Sequence, residues 1–195
     1  FNTAVIIDPG YFLGYALRGR TYDSLDRRKE AVDDYQKVLQ LNPGYNPVNE
    51  PLGILLYMDE RWNEARVLFE KDYAADNEGY WYPLLVSLCY KRADQELASK
   101  KYLEKTISLL PKDSLYYHMA RLYMEPGYDT YVTRLIDGEK NQVLKTQMLY
   151  YLGVHYLLQG KPILAQRYLM QVQDADIPGL VESRLAEREL ALFMK

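Results

Sequence analysis

The side chains that could carry acid–base or nucleophilic chemistry in this sequence are few and far apart. The histidines are His118 and His155, and the single cysteine is Cys89. A histidine serves as a general base, or activates a cysteine, only when the reacting groups lie within hydrogen-bond reach. The histidines lie in different predicted helical units, and Cys89 follows Leu88 in an apolar segment with no base nearby. We therefore expect packed or solvated histidines and a buried, unreactive thiol.

The sequence also lacks the residue spacings that hold metals or phosphates. It contains no His-x-x-Glu-His or Cys-x-x-Cys pattern and no glycine-rich loop after a predicted strand. Carboxylate pairs such as Asp33-Asp34 and Asp59-Glu60 are expected on polar helix faces and in turns. We predict a protein that is not an enzyme, with no catalytic residues, no metal site and no cofactor.

The composition excludes further classes of function. The 195 residues carry a net charge of −3, and because nucleic-acid binding needs a basic stripe, we expect no nucleic-acid partner. No run of 18 or more apolar residues occurs, so no transmembrane segment is predicted. The 20 tyrosines are unusual, and tyrosine suits both tight helix packing and partner surfaces.

The elements that would position these side chains repeat along the chain. Pro43 lies 34 positions after Pro9, and Pro111 lies twice that distance after Pro43. A repeat of this period indicates stacked pairs of helices. Within a period, large and small residues recur with spacings of 3 and 4, as on a helical face. The most regular period carries Tyr15, Gly19 and Tyr22 on its first helix and Ala31, Tyr35 and Val38 on its second.

Later periods keep this pattern with one interruption, at residues 125–128. Ala65 follows Ala31 by one full period, and Ser99 follows Ala65 by another. The half-repeat at the start indicates that the chain is part of something longer. We predict a single array: residues 1–11 as the second helix of a truncated repeat, repeats at 12–45, 46–79 and 80–113, a degenerate repeat at 114–145, a repeat at 146–178, and a capping helix at 179–195. The capping helix is expected to bury Val181, Leu185, Ala186, Leu192 and Phe193.

This pattern resembles the tetratricopeptide (TPR) repeat, in which large residues on the first helix interlock with small residues on the second. The resemblance implies an all-α fold, a right-handed superhelical solenoid of antiparallel helix pairs with a C-terminal capping helix. It also implies a non-catalytic scaffold that binds a protein or peptide partner in a concave groove lined by the first helices. The groove positions carried over to this chain are Leu13, Leu17, Arg20, Ile54, Tyr57, Met58, Trp81, Leu85, Leu88, Arg92, Tyr150, Tyr151, Val154 and Leu157.

The predicted groove is apolar and aromatic, so we expect something to cover it. Three coverings are open: a helix or extended segment of a partner, a second copy of the chain, or the chain's own terminal helix. Several of the groove residues are also expected to pack against the adjacent repeat. A regulatory segment of a larger enzyme is a further interpretation of such an array.

The order of the units resembles a narrower family as well. The run Tyr151-Leu152-Gly153, with Gly160 and Ala165 and a final helix containing Glu182 and Glu189, is similar to the C-terminal part of bacterial TPR lipoproteins of the NlpI type. That resemblance implies a homodimeric adaptor, anchored by lipid at the bacterial outer membrane and facing the periplasm, that brings a protease to cell-wall hydrolases. The lipid-bearing cysteine would precede Phe1. Without this resemblance, a cytoplasmic location is expected.

Overall fold

A computed structural model of the chain describes residues 1–76 and 78–194. Throughout these residues the regular secondary structure is helical, and no strand is present. The predicted all-α fold is therefore confirmed. The chain forms two compact units, Phe1–Asp76 and Asn77–Lys195. The division into repeats of a single array stays a prediction.

The first unit is built from pairs of consecutive helices, in which α2 packs against α3 and α4 packs against α5. Helix α3 ends before Asn42, because Asn42 precedes Pro43 and the residue before a proline disfavours helical backbone. A 3-10 turn, Asn46–Val48, leads into α4. The helices are α1 (Asn2–Ile7), α2 (Phe12–Ser24), α3 (Arg28–Leu41), α4 (Asn49–Met58) and α5 (Trp62–Ala75).

The second unit continues with helix pairs and ends on a single helix. The side-chain oxygens of Ser114 and Asn141 accept hydrogen bonds from backbone N–H groups in the first turns of α8 and α10, and so fix where these helices begin. The helices are α6 (Tyr82–Arg92), α7 (Glu96–Thr106), α8 (Leu115–Met124), α9 (Asp129–Gly138), α10 (Gln142–Leu158), α11 (Pro162–Asp174) and α12 (Val181–Ala191), with 3-10 turns at Ile107–Leu109 and Leu192–Met194.

Small residues allow close packing within the regular pairs, as the sequence predicted. On the first helix of three pairs, a glycine lies against a large side chain of the second helix, at the same spacing along the chain each time. A Cβ atom at Gly53, for example, would lie 2.6 Å from a ring carbon of Phe69. The small residues of the second helices are fully buried at Ala31, Ala65 and Ala165. The glycine contacts are Gly19 with Tyr35, Gly53 with Phe69, and Gly153 with Leu169.

The α6/α7 pair replaces both small positions with serine. Ser87 follows Gly53 by one period of the repeat, and Ser99 follows Ala65 by the same interval. Both side chains are fully buried, and their hydroxyl oxygens are 2.8 Å apart. Because each hydroxyl has the other as a hydrogen-bond partner, the two serines are buried without an unsatisfied polar group.

A repeated turn joins the two helices of each regular pair. One residue of the turn has left-handed backbone, at Asp26, Glu60, Asp94 and Gly160, with φ values of 53°, 63°, 57° and 69°. The N–H of the next residue donates to a carbonyl five residues earlier, at 2.9 Å in all four turns. This geometry satisfies carbonyl groups at the end of the first helix and keeps the pairs in register.

The α8/α9 pair is irregular, as residues 125–128 predicted. Gly127 has a φ of 83°, and the chain turns there into α9. The helix that follows this turn, α9, runs from Asp129 to Gly138. Val132 and Ile136 on α9 are fully buried, so the irregular pair still contributes to the core.

The final helix α12 packs against α10 and α11, but its buried face differs from the predicted one. Leu185 and Ala186 are fully buried as expected. Leu192 is 44% exposed and lies after the end of α12, at the start of a 3-10 turn. Glu182 and Glu189 take part in the buried face instead.

Candidate functional site

Burial divides the predicted groove residues into three groups. Leu13, Leu17 and Arg20 on α2 are exposed, and Leu17 is 44% exposed. Eight others are buried, which matches the expectation that several groove residues pack against neighbouring helices; partner binding by any of the set stays a prediction. The half-buried residues are Trp81, Arg92 and Leu157. The buried residues are Ile54, Tyr57, Met58, Leu85, Leu88, Tyr150, Tyr151 and Val154.

Leu17 and Arg20, but not Leu13, border a pocket of about 370 Å³ in the first unit. Tyr35 and Val48, both buried, form part of its wall. Tyr45 and Pro47, in the segment between α3 and α4, and Pro51, in the first turn of α4, contribute further wall, and the two proline rings fix the local backbone. The full lining is Ala16, Leu17, Arg20, Asp23, Tyr35, Tyr45, Pro47, Val48 and Pro51.

An ion pair fixes α2, which carries the pocket's exposed residues, against α3. The Nε and NH2 groups of Arg18 donate to the two carboxylate oxygens of Asp34, each at 2.7 Å. The Asp34 side chain is only 6% exposed, so the prediction of a polar, solvent-facing Asp34 is wrong. Arg18 and Asp34 have the same spacing along the chain as Gly19 and Tyr35. The Gly19–Tyr35 contact lies one position later on both helices.

In the second unit, the chain's own terminal helix occupies a surface that includes two predicted groove residues. The hydroxyl of Tyr151 donates to Oε1 of Glu182 at 3.3 Å, and Nε2 of Gln147 donates to the same atom at 3.2 Å. At the other end of α12, the guanidinium of Arg92 lies 2.7 Å from Oε2 of Glu189. Helix α12 therefore bridges α10 and α6.

His155 is a packed side chain. Its ring stacks on that of Tyr123 at 5.8 Å, with an interplanar angle of 6°, and its Nε2 lies 2.9 Å from Nε2 of Gln159. Burial, with a smaller contribution from the nearby ammonium of Lys91, lowers the pKa of His155 to about 4. The ring is therefore neutral near pH 7, and its hydrogen bond is to an amide rather than to a carboxylate that would orient it as a catalytic base.

His118 lies in a separate cluster of tyrosines on α8 and α9. Its Nδ1 is 3.1 Å from the hydroxyl of Tyr128, and the rings of Tyr117 and Tyr131 meet it edge-on. Burial, followed by the charge of Arg121, lowers the pKa of His118. Cys89 is 1% exposed, so the expectation that this thiol is buried is confirmed.

Metal-ligating clusters and membrane-spanning helices were the other candidate features of the described residues. Over residues 1–76 and 78–194, no group of three or more His, Cys, Asp or Glu side chains could hold a metal ion. None of the helices described is long and apolar enough to cross a lipid bilayer. Two surfaces include predicted groove residues and are the candidates: the pocket beside α2 and the surface beneath α12.

The sequence analysis missed the roles of Glu182 and Glu189. Glutamates are rarely fully buried in proteins, yet Glu182 is 3% exposed and Glu189 is fully buried. The signal was their spacing, because residues seven apart on a helix share one face. Leu185 and Ala186 lie between them on that same face.

Comparison of the chain with known proteins gives one sequence match. Residues 14–45, which cover α2 and α3, match the tetratricopeptide repeat model. No curated protein matches the chain in sequence. The chain therefore contains a tetratricopeptide repeat at the position where the sequence pattern is most regular.

Solved structures extend the likeness to nearly the whole chain. A tetratricopeptide repeat protein from Parabacteroides merdae ATCC 43184 superposes with a TM-score of 0.57 at 16% identity, covering 100% of this chain and 75% of that one. PilF of Pseudomonas aeruginosa gives 0.52 at 19%, covering 96% and 86%. YrrB, described as a TPR protein with an unusual peptide-binding site, gives 0.51 at 17%, covering 96% and 97%. The fold is that of tetratricopeptide repeat proteins.

Proposed function

We propose that this chain, which has the fold of tetratricopeptide repeat proteins, is a non-catalytic scaffold whose first unit binds an extended segment of a partner protein. Proteins of this fold generally act through protein–protein interaction. The observation that carries the proposal is the pocket of about 370 Å³ beside α2, where the predicted groove residues Leu17 and Arg20 are exposed.

The chemistry of the pocket favours a segment with one large apolar side chain and one carboxylate. Leu17, Tyr45 and the pocket prolines supply apolar surface that a leucine or an aromatic ring would cover. Arg20 forms no ion pair with any residue that the structure describes, so its guanidinium is available to a partner carboxylate. An acidic side chain close to an apolar one therefore fits both features.

The walls of the pocket are held in place before a partner arrives. The ion pair between Arg18 and Asp34 fixes α2 on α3. The ring of Tyr45 meets that of Phe12 edge-on, with the centroids 5.1 Å apart. Such preorganisation favours binding, because less conformational entropy is lost when the complex forms.

The proposal is tested by selecting peptides from a random ten-residue display library on the purified chain. We expect the selected peptides to share an acidic residue next to a large apolar residue. Arg20→Glu and Leu17→Asp should each weaken their binding by about tenfold or more, measured by fluorescence anisotropy. The matched control is Ile163→Asp, because Ile163 is 84% exposed on α11 of the other unit.

Peptides that bind equally well to wild type, Arg20→Glu and Leu17→Asp would overturn the proposed pocket. The narrower role implied by the resemblance to lipoproteins of the NlpI type, an exported adaptor between a protease and cell-wall hydrolases, stays a prediction. So does the homodimer that this resemblance implies.

A further inference from the structure

Helix α12 buries two carboxylates on the face that packs against the rest of the second unit. Glu182 and Glu189 are seven residues apart and flank the buried pair Leu185 and Ala186. A helix that only covers the end of an array needs an apolar inner face and a polar outer one. The inner face of α12 therefore carries more charge than covering alone requires.

The surface beneath the start of α12 is arranged to receive a carboxylate. The hydroxyl of Tyr116 on α8 donates to Oε1 of Gln147 at 2.9 Å, which leaves the Gln147 amide group directed at Glu182. Tyr151 donates to Glu182 from the same helix, α10. Burial raises the pKa of Tyr151 well above its usual value, so this hydroxyl remains a donor at neutral pH.

The surface beneath the end of α12 supplies a cation. Arg92 lies in the last turn of α6, and its side chain is only 13% exposed. Its guanidinium lies 2.7 Å from Glu189, and the guanidinium of Arg188 lies 3.4 Å from the same carboxylate. Arg92 thus contacts Glu189, and Gln147 and Tyr151 contact Glu182. The two glutamates lie about 10 Å apart along the helix axis, since each residue advances about 1.5 Å.

Buried charges of this kind give selectivity more than stability. A buried ion pair is often no more stabilising than a well-packed apolar pair, but removing one partner is costly. A helix with apolar residues in place of the two glutamates would remove the carboxylate that lies 2.7 Å from the guanidinium of Arg92. These contacts favour a helix that carries both acids.

We propose that the surface formed by Arg92, Tyr116, Gln147 and Tyr151 is a docking site for a partner helix with two acidic residues seven positions apart, and that α12 is its resident occupant. A partner helix of this type binds by displacing α12. Because the site lies within the second unit, the proposal does not depend on the pocket of the first unit.

The test uses the full chain and a fluorescein-labelled peptide with the sequence of residues 179–194. The Glu182→Gln/Glu189→Gln chain keeps the docking surface but weakens the hold on its own α12. We expect the peptide to bind this variant about tenfold or more tighter than wild type, in which the tethered helix competes at high effective concentration. Hydrogen exchange should show faster exchange over residues 181–191 of the variant and unchanged exchange over α10.

Matched peptides and a surface variant identify what is recognised. We call the Glu182→Gln/Glu189→Gln chain the opened chain. The peptide with both glutamates changed to glutamine should bind the opened chain about tenfold more weakly than the original peptide does. The control peptide carries Glu187→Gln, at an exposed position, and should bind like the original. Adding Arg92→Gln to the opened chain should also weaken binding of the original peptide.

Three results would overturn the proposal. Unchanged protection of residues 181–191 in the glutamine variant would make α12 a fixed cap. Equal binding of the original and double-glutamine peptides would remove the acid pair as the recognised feature. Dimerisation of the opened chain, seen by light scattering and abolished by deleting residues 180–195, would make a second copy the occupant.

Discussion

Side chains at the same position of the repeat differ in exposure between the two units. Leu85 lies two periods after Leu17, and Leu88 lies two periods after Arg20. Leu17 is 44% exposed, whereas Leu85 is 2% exposed. In the second unit, α8 and α10 pack against α6, which carries Leu85. The position in the repeat therefore sets which face a side chain occupies, and the neighbouring helices decide whether that face is open.

The arginines of the two units differ in the same way. Arg20 on α2 is exposed and forms no ion pair within the described residues. Arg92 on α6 is largely covered and lies against the buried Glu189. The cation of the first unit thus lies open to solvent, whereas that of the second contacts a carboxylate of its own chain.

The largest expected effect on stability comes from replacing a feature that both units share, the small residue on the second helix of a pair. Ala65 is fully buried, so Ala65→Leu should overpack the α4/α5 pair and lower the free energy of unfolding by about 1–3 kcal/mol. Urea unfolding followed by circular dichroism measures this change. Val67→Leu on the same helix is the control, because Val67 is 41% exposed and the substitution should change stability by less than about 0.5 kcal/mol. An unchanged unfolding midpoint for Ala65→Leu would contradict the assigned contact.

A second effect, of intermediate size, is a pH dependence of stability that arises in the second unit. Both histidines lie in the second unit, and the pKa of His155 is lowered to about 4 by burial and by Lys91. A folded-state pKa below the unfolded value of about 6.5 means that the unfolded chain binds more protons below that pH, so stability falls as the pH drops from about 6.5 toward 4. At pH 5 this loss amounts to about 2 kcal/mol relative to pH 7.5.

His155→Phe isolates this effect, because phenylalanine keeps a ring against Tyr123 but has no titratable group. Urea unfolding at pH 7.5 and pH 5 should show a smaller pH dependence in His155→Phe than in wild type. His118→Phe is the comparison variant and should retain most of the wild-type pH dependence. Equal pH dependence in wild type and His155→Phe would rule out the buried histidine as the source.

The smallest expected effect concerns the serine pair of α6 and α7, which replaces the glycine and alanine found in the pairs of the first unit. Ser99→Ala leaves the buried Ser87 hydroxyl without its side-chain partner and should cost about 1 kcal/mol. The double variant Ser87→Ala/Ser99→Ala should cost less than the sum of the single variants, because neither hydroxyl is then left behind. Urea unfolding of the three variants completes the cycle, and Ser24→Ala, at an exposed position, is the control. Additive single effects would show that the two hydroxyls do not interact.

Sequence reasoning succeeded where a steric rule fixes the residue type. Gly19 and Ala31 had to be small because helices approach closely there, and the period of the repeat carried that rule to Gly53 and Ala65. The helix pairs followed from these positions. The left-handed turns were not predicted, because most of them use an acidic residue rather than a glycine and so give little sign of that backbone.

Sequence reasoning was weakest where exposure depends on contacts far along the chain. Tyr57 and Tyr151 lie on the predicted groove face, yet both are fully buried. Tyr151 meets α12 through Glu182, a residue 31 positions later that no periodic rule connects to it. Charge was misleading for the same reason, since Asp34 and Glu189 are buried only because an arginine lies opposite each.

The contact between Arg92 and Glu189 also shapes how the second unit folds. The two residues are separated by 97 positions (189 − 92), whereas contacts within a helix pair, such as Ser87 with Ser99, join residues of one repeat. Short-range contacts form early, and a chain emerging from the ribosome can fold them one pair at a time. Arg92 is synthesised long before its carboxylate, so the second unit completes its packing only after α12 has emerged. Glu189 therefore links α12 to α6, the first helix of the second unit, and this long-range contact forms only after the whole unit has been synthesised.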